Sequence, residues 1–211
     1  MMRIAHSTAL SPLVFSTLIS CALFGKSAVL AEGTQLSEGN TPECCAKSTN
    51  KALPMLKVND KAPDFRLLSQ SGKSIKLSEL LGKSVVVVYF YPKDFTSICT
   101  KESKAFRDSY EVFKQAGAEV VGISADSVES HKSFAEAEHL PFILLSDSDD
   151  RVRKLWRVPN SMGFLPGRVT YVIDKRGVIR SVFDAQLEDK KHVTEALKVI
   201  DQLKKESSSK S

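Results

Sequence analysis

Cys99 stands alone in the stretch "YPKDFTSICTKES", residues 91–103, between an apolar run and a charged segment with helical spacing. No other cysteine and no histidine lies near it in the chain. It falls eight residues beyond "VVVVYFY" and in the first turn of a helix, where backbone N–H groups and the positive end of the helix dipole face outward. Those surroundings favour a thiolate, the nucleophilic form of cysteine, and an arginine brought alongside would favour it further. Thr96, three residues earlier, is placed to turn a hydroxyl toward the same pocket, while Pro92 fixes the chain leaving the strand and removes one N–H. Each residue also has a purely structural reading. A lone cysteine at such a junction can be a small buried hydrophobe, the threonine an N-cap and the proline a strand stop, so pattern alone leaves Cys99 open.

The elements that must position these residues follow from the spacing of apolar runs. "VVVVYFY" (85–91), "EVVGIS" (119–124), "FILLSD" (142–147), "VTYVID" (169–174) and "VIRSVF" (178–183) lack strict alternation and read as strands covered on both faces. Before them, a short strand around Phe65 to Leu68, a Ser-Gly turn, a second strand near Ile75 and a one-turn helix after Ser78 are expected. Residues 99–116 place Cys99, Phe106, Tyr110 and Phe113 on one helical stripe, and residues 190–205 do so with Val193, Ala196, Leu197, Ile200 and Leu203. Segments after Asp126 and after Asp149, the latter with Val152, Leu155 and Trp156, supply two more helices; Trp156 and the phenylalanines read as core. A hairpin through Lys175, Arg176 and Gly177 precedes the last helix. The pattern predicts the α/β class with a mixed central sheet flanked by helices, in one domain over residues 58–206.

The chain has 211 residues, 42% hydrophobic and 26% charged, which suits one globular domain rather than disorder or several domains. Residues 1–31 contain no acid, begin with Arg3, hold an apolar stretch from Ala9 to Phe24 and end on small residues, the physics of an export signal cleaved after Ala31. An uncleaved membrane anchor and lipid attachment at Cys21 are weaker alternatives; Ser and Pro interrupt the apolar core, and an apolar segment rather than a polar tether follows Cys21. Losing Arg3 and Lys26 lowers the net charge from +5 to +3, too mild a basicity to name a partner. Basic residues are interspersed with acids and form no stripe with aromatics, which argues against nucleic acid. Residues 32–57 read as a flexible extension and 207–211 as a disordered tail. His131, His139 and His192 sit on separate segments without ligand spacing, so neither a metal nor another cofactor is expected.

"YPKDFTSICTKE" resembles the active-site loop of the peroxiredoxins, with Pro92, Thr96 and Cys99 in the spacing P-x-x-x-T-x-x-C. The resemblance covers residues 58–203, and "AFRDSYEVFKQAGAEVVGIS", "HLPFILLSD", "VRKLWRVP" and "LPGRVTYVIDKRGVI" are similar to the peroxiredoxin Q, or bacterioferritin comigratory protein, branch. It implies a thioredoxin-like fold, reduction of hydroperoxides and a distant arginine completing the site, here Arg168. It further implies that Cys99 becomes a sulfenic acid while Arg168 holds the thiolate and the departing oxygen. Thr96 and the Cys99 N–H would orient the peroxide, and Pro92 would shield the pocket. Glu102 is similar to a position that braces the arginine, although an exposed first-turn glutamate favouring the dipole is the plainer reading. The resemblance leans toward a monomer and leaves the oligomeric state open.

Many members of that branch carry a resolving cysteine five residues after the first, where this chain has Lys104. Five residues of ideal helix separate Cα atoms by roughly 8.6 Å, beyond the roughly 7 Å a disulfide tolerates, so relatives that form one must unwind the helix locally. Lys104 removes that route, and it shares the solvent face with Asp108, Glu111 and Gln115. An external thiol such as thioredoxin, glutaredoxin or glutathione is the expected recycling partner. Cys44 and Cys45 in the extension are the weaker candidates for resolving Cys99. A thiol-disulfide oxidoreductase lacks support because the domain has no C-x-x-C; a redox-inactive binding module would not need Thr96, Cys99 and Arg168 together. The export signal fits a periplasm or a thylakoid lumen.

Overall fold

Four consecutive valines, 85–88, set the centre of the molecule. A computed structural model describes residues 54–161 and 163–208; the expected signal (1–31), residues 32–53 of the extension, including Cys44 and Cys45, and residues 209–211 lie outside them. In chain order the elements are β1 (Arg66–Ser69), β2 (Ser74–Lys76), α1 (Leu77–Leu80), β3 (Val85–Phe90), α2 (Ser97–Asp108), α3 (Tyr110–Gln115), β4 (Ala118–Ser124) and α4 (Val128–Ala137). There follow β5 (Ile143–Ser146), α5 (Arg151–Leu155), β6 (Asn160–Ser161), β7 (Leu165–Pro166), β8 (Val169–Ile173), β9 (Ile179–Asp184) and α6 (Asp189–Ser208).

Seven strands form one sheet in the order β2-β1-β5-β4-β3-β8-β9, with β3, β4 and β5 parallel and the remaining pairs antiparallel. Every residue of β3 is buried, as an apolar run without alternation requires. Successive side chains take opposite faces: Val86, Val88 and Phe90 join Phe65, Leu67, Trp156 and Tyr171, whereas Val85, Val87 and Tyr89 join the helices of the other face. On that second face Cys99, Phe106 and Phe113 meet Val193, Ala196 and Ile200 of α6. The sheet is mixed and flanked by helices, the thioredoxin-like arrangement.

Several expectations need correction. The helix over 99–116 is two helices, parted at Ser109, whose backbone (φ −104°, ψ 3°) leaves the helical range while its N–H donates to the Ala105 carbonyl (3.3 Å). α1 begins at Leu77, a residue before Ser78, and α6 continues to Ser208, into the expected tail. At the other end the packed chain starts before residue 58: Leu56 is buried in the core and Met55 packs against it. α5 stops after one turn, which leaves Leu155 exposed while Val152 and Trp156 are buried. Phe95 and Phe164 are exposed rather than core. The short pair β6–β7 had no periodic signal.

Tyr89 faces Gly122 across the β3–β4 pair, and its ring stacks on Phe106 at 4.6 Å. A Cβ at position 122 would lie 2.7 Å from Tyr89 Cζ and Oη, so the absence of a side chain there makes room for the ring under α2. Gly122→Ala is expected to destabilise the domain by about 1–3 kcal/mol through overpacking, measured as a lower denaturation midpoint with an unchanged m-value.

Candidate active site

Cys99 is reached through a tight loop between β3 and α2. Tyr91 continues the β3–β4 pairing through its N–H to the carbonyl of Ile123 (3.1 Å), and half-buried Pro92 then ends it. Asp94, almost fully buried, anchors the loop: its N–H donates to Asp126 Oδ2 (2.8 Å), and its carboxylate accepts from Tyr91 Oη (2.7 Å) and Ser130 Oγ (2.8 Å). The same carboxylate meets His131 Nδ1 at 2.9 Å, and the other ring nitrogen of this buried histidine meets the carbonyl of Leu145 at 3.2 Å. Phe95 adopts φ 59°, unusual for a bulky residue, with its ring edge-on to Phe134 at 5.1 Å. Thr96 occupies the N-cap position of α2 without capping it; its hydroxyl donates to the carbonyl of Lys93 (3.0 Å) and keeps its lone pairs available.

Arg168 is brought to the sulfur by strand pairing. β8 runs antiparallel to β3 with Phe90 opposite Val169, so the residue before β8 lies beside the chain that leaves β3. Arg168 Nη2 donates to Cys99 Sγ at 3.1 Å, Nη1 pairs with Glu102, and Nε donates to the carbonyl of Gln186 (3.3 Å). Cys99, Arg168 and Glu102 are 1%, 2% and 0% exposed, so the exposed reading of Glu102 is corrected. Glu102 lies one helical turn after Cys99, so both share the face of α2 that is pressed to the sheet. Burial by itself would pull the Arg168 guanidinium down, but Glu102 and then Cys99 raise it above its usual value. The result is a permanent buried cation holding one carboxylate and one sulfur.

A second buried arginine fixes where that cation sits. Arg153 donates through both Nη atoms to the carbonyl of Gly167 (3.1 and 3.0 Å) and through Nη2 to that of Tyr91 (3.4 Å), tying together the two segments that carry the site. Its own backbone N–H donates to Asp147 Oδ2 (2.8 Å). Gly167 also donates its N–H to the carbonyl of Pro159 (3.1 Å), an approach so close that a Cβ would stand 2.1 Å from that oxygen. Sequence reasoning missed Arg153, Asp94 and His131, most of whose partners lie 14 to 62 residues away. Lys104 is half exposed and pairs with Glu138 (2.8 Å), compatible with its solvent-face placement. Among the described residues no group of three or more His, Cys, Asp or Glu is disposed to hold a metal ion.

Residues 58–182 match the model of the AhpC/TSA family. The chain is 57% identical over 143 residues to "Peroxiredoxin Q, chloroplastic" of Sedum lineare, covering 67% of this chain and 76% of the relative. Among solved structures it superposes on peroxidoxin BcpB from Mycobacterium tuberculosis with a TM-score of 0.65 at 35% identity, over 70% of this chain and 97% of that one. It also superposes on a yeast mitochondrial 1-Cys peroxiredoxin with a TM-score of 0.62 at 29% identity, over 71% and 76%. The chain therefore belongs to the AhpC/TSA family, in its peroxiredoxin Q branch. Its activity is that of a thiol-dependent peroxidase, with a hydroperoxide as oxidant and a thiol as reductant.

Because Gly167 precedes Arg168 and leaves no room for a side chain, Gly167→Ala must displace the backbone that carries the guanidinium. A fall in kcat/KM for hydrogen peroxide of about 100-fold is expected, since a displacement near 1 Å, even from a change remote from the chemistry, can cost an enzyme that much. Steady-state peroxide consumption by the folded variant measures it.

Proposed function

We propose that Cys99 is the peroxidatic residue, that Arg168, Thr96 and Pro92 complete its pocket with Glu102 bracing Arg168, and that an external thiol recycles the enzyme by a one-cysteine route. The observation that carries this reading is the Arg168 N–H at 3.1 Å from a buried sulfur in the first turn of α2. A lone pair of the Cys99 thiolate attacks the terminal oxygen of ROOH, the S–O bond forms, and the O–O pair leaves on RO⁻, which takes a proton to become ROH. Cys99 is left as the sulfenic acid. Arg168, held at all three nitrogens, meets the negative charge as it moves from sulfur to the departing oxygen without reorganising. The Thr96 hydroxyl, whose proton is committed to the Lys93 carbonyl, offers a lone pair to the peroxide O–H. Half-buried Pro92 limits access of water.

A thiol then attacks the sulfenic sulfur, releasing water and forming a mixed disulfide, and a second thiol frees Cys99 while the two reductant sulfurs join. Lys104 stands where the resemblance implies a resolving cysteine in many members of the branch, and Cys99 is the one cysteine among the described residues. The yeast neighbour, described as a 1-Cys peroxiredoxin resolved via glutathione/thioredoxin systems, lends further support. For the compartment, curated relatives from several plants are named chloroplastic, which favours a plastid, and with it the thylakoid lumen, over a periplasm.

Cys99→Ser is expected to abolish peroxide consumption with dithiothreitol. Peptide mass spectrometry of the peroxide-treated protein should find sulfenic or sulfinic acid at Cys99. Peroxidase activity surviving in Cys99→Ser would overturn the assignment, and a peptide joining Cys99 to Cys44 or Cys45 would overturn its one-cysteine part.

A further inference from the structure

His192, on α6, is fully buried behind the site and takes no part in the steps above. Its Nε2 meets the carbonyl of Ala185 at 2.8 Å, its Nδ1 meets Thr170 Oγ1 at 2.7 Å, and Nδ1 lies 3.6 Å from Glu102 Oε1. Phe183 sits edge-on to the ring at 4.7 Å. A carbonyl only accepts, so Nε2 carries a proton in every state. In the neutral ring Nδ1 accepts the Thr170 hydroxyl proton. A threonine hydroxyl can turn and accept instead, so the same pocket also holds an imidazolium whose Nδ1–H faces Thr170 Oγ1 and the Glu102 carboxylate.

We propose that His192 is a positioning residue of the peroxidase site, whose proton balances the charge of the Cys99 thiolate through Glu102 and Arg168. The inference rests on the assignment of Cys99 as the peroxidatic residue. With Cys99 as thiolate, Arg168 as cation and Glu102 as anion, the buried cluster carries one excess negative charge; with the thiol or the sulfenic acid it carries none. An uncompensated charge at such burial is expensive, and the opposite charge 3.6 Å from Glu102 cancels it. His192 is therefore protonated together with ionisation of the thiol and sheds its proton when the sulfur is oxidised. The oxidation then balances within the site: thiolate, imidazolium and ROOH give sulfenic acid, neutral imidazole and ROH.

Among the described residues, ionisable groups reach the cluster from several elements. Glu102 comes from α2, Arg168 lies behind it just before β8, and Cys99 lies beyond Arg168. Tyr89, from β3, feels both Glu102 and Cys99; its phenol is pushed far up, first by burial, and stays neutral. Lys190 and Lys191 in the same turn of α6 are exposed.

Two measurements on the full chain test the proposal. In His192→Gln, which keeps a donor for the Ala185 carbonyl but cannot be protonated, the acid limb of the pH–rate profile for hydrogen peroxide should move to higher pH. The rate constant near neutrality should fall about 10-fold, as expected when a buried compensating charge is removed. An unchanged profile, or a rate loss equal at every pH, would reduce His192 to packing and overturn the proposal. Histidine NMR of the reduced wild type and of Cys99→Ser needs no change at position 192. At the same pH, His192 should be protonated to a larger extent in the wild type, and identical titrations would overturn the proposal even with peroxidase activity still assigned to Cys99.

Discussion

A guanidinium held between a carboxylate and a sulfur, all three out of water, is the constraint that organises this protein. Burying the charge of Arg168 is costly unless each donor has a partner, and Glu102, Cys99 and the Gln186 carbonyl supply them. Glu102 and the Gln186 carbonyl give the cation two partners besides the sulfur, so its position does not depend on Cys99 alone.

The surrounding fold keeps two distant segments in register around that cation. Cys99 and Arg168 lie 69 residues apart, on opposite sides of the pairing between β3 and β8. Arg153 clamps the ends of both segments at the Tyr91 and Gly167 carbonyls, and Gly167 packs against Pro159 too closely for any side chain. On the other flank the Asp94 carboxylate gathers Tyr91, Ser130 and His131 beneath the loop that carries Thr96. Buried polar networks of this kind specify one arrangement because every alternative strands a polar group.

Helical spacing placed Cys99, Phe106 and Phe113 on one face, and that face is buried. The same spacing puts Glu102 on it, a turn after Cys99, and puts His192 in line with Ala196 and Ile200, so a signal for both existed. It was weak because periodicity says which residues share a face and not what covers it; for a glutamate or a histidine the default is solvent. Arg153 and Asp94 gave no readable signal, since most of their partners, the Tyr91 and Gly167 carbonyls for one and Asp126, Ser130 and His131 for the other, lie in loops and a helix far along the chain. Phe95 and Phe164 show the reverse error, large apolar residues that the loops leave in water.

Runs of valine and isoleucine, turn residues and helical stripes dictate where strands and helices form, because those preferences act between near neighbours in the chain. A cysteine at the mouth of a helix is likewise a local fact, legible in residues 91–103, whereas those residues by themselves left its reactivity open. The position of Arg168 against the sulfur was known in advance only through likeness to a family. Physically it is decided by the antiparallel pairing of β8 with β3, a long-range contact whose register depends on the whole packed sheet.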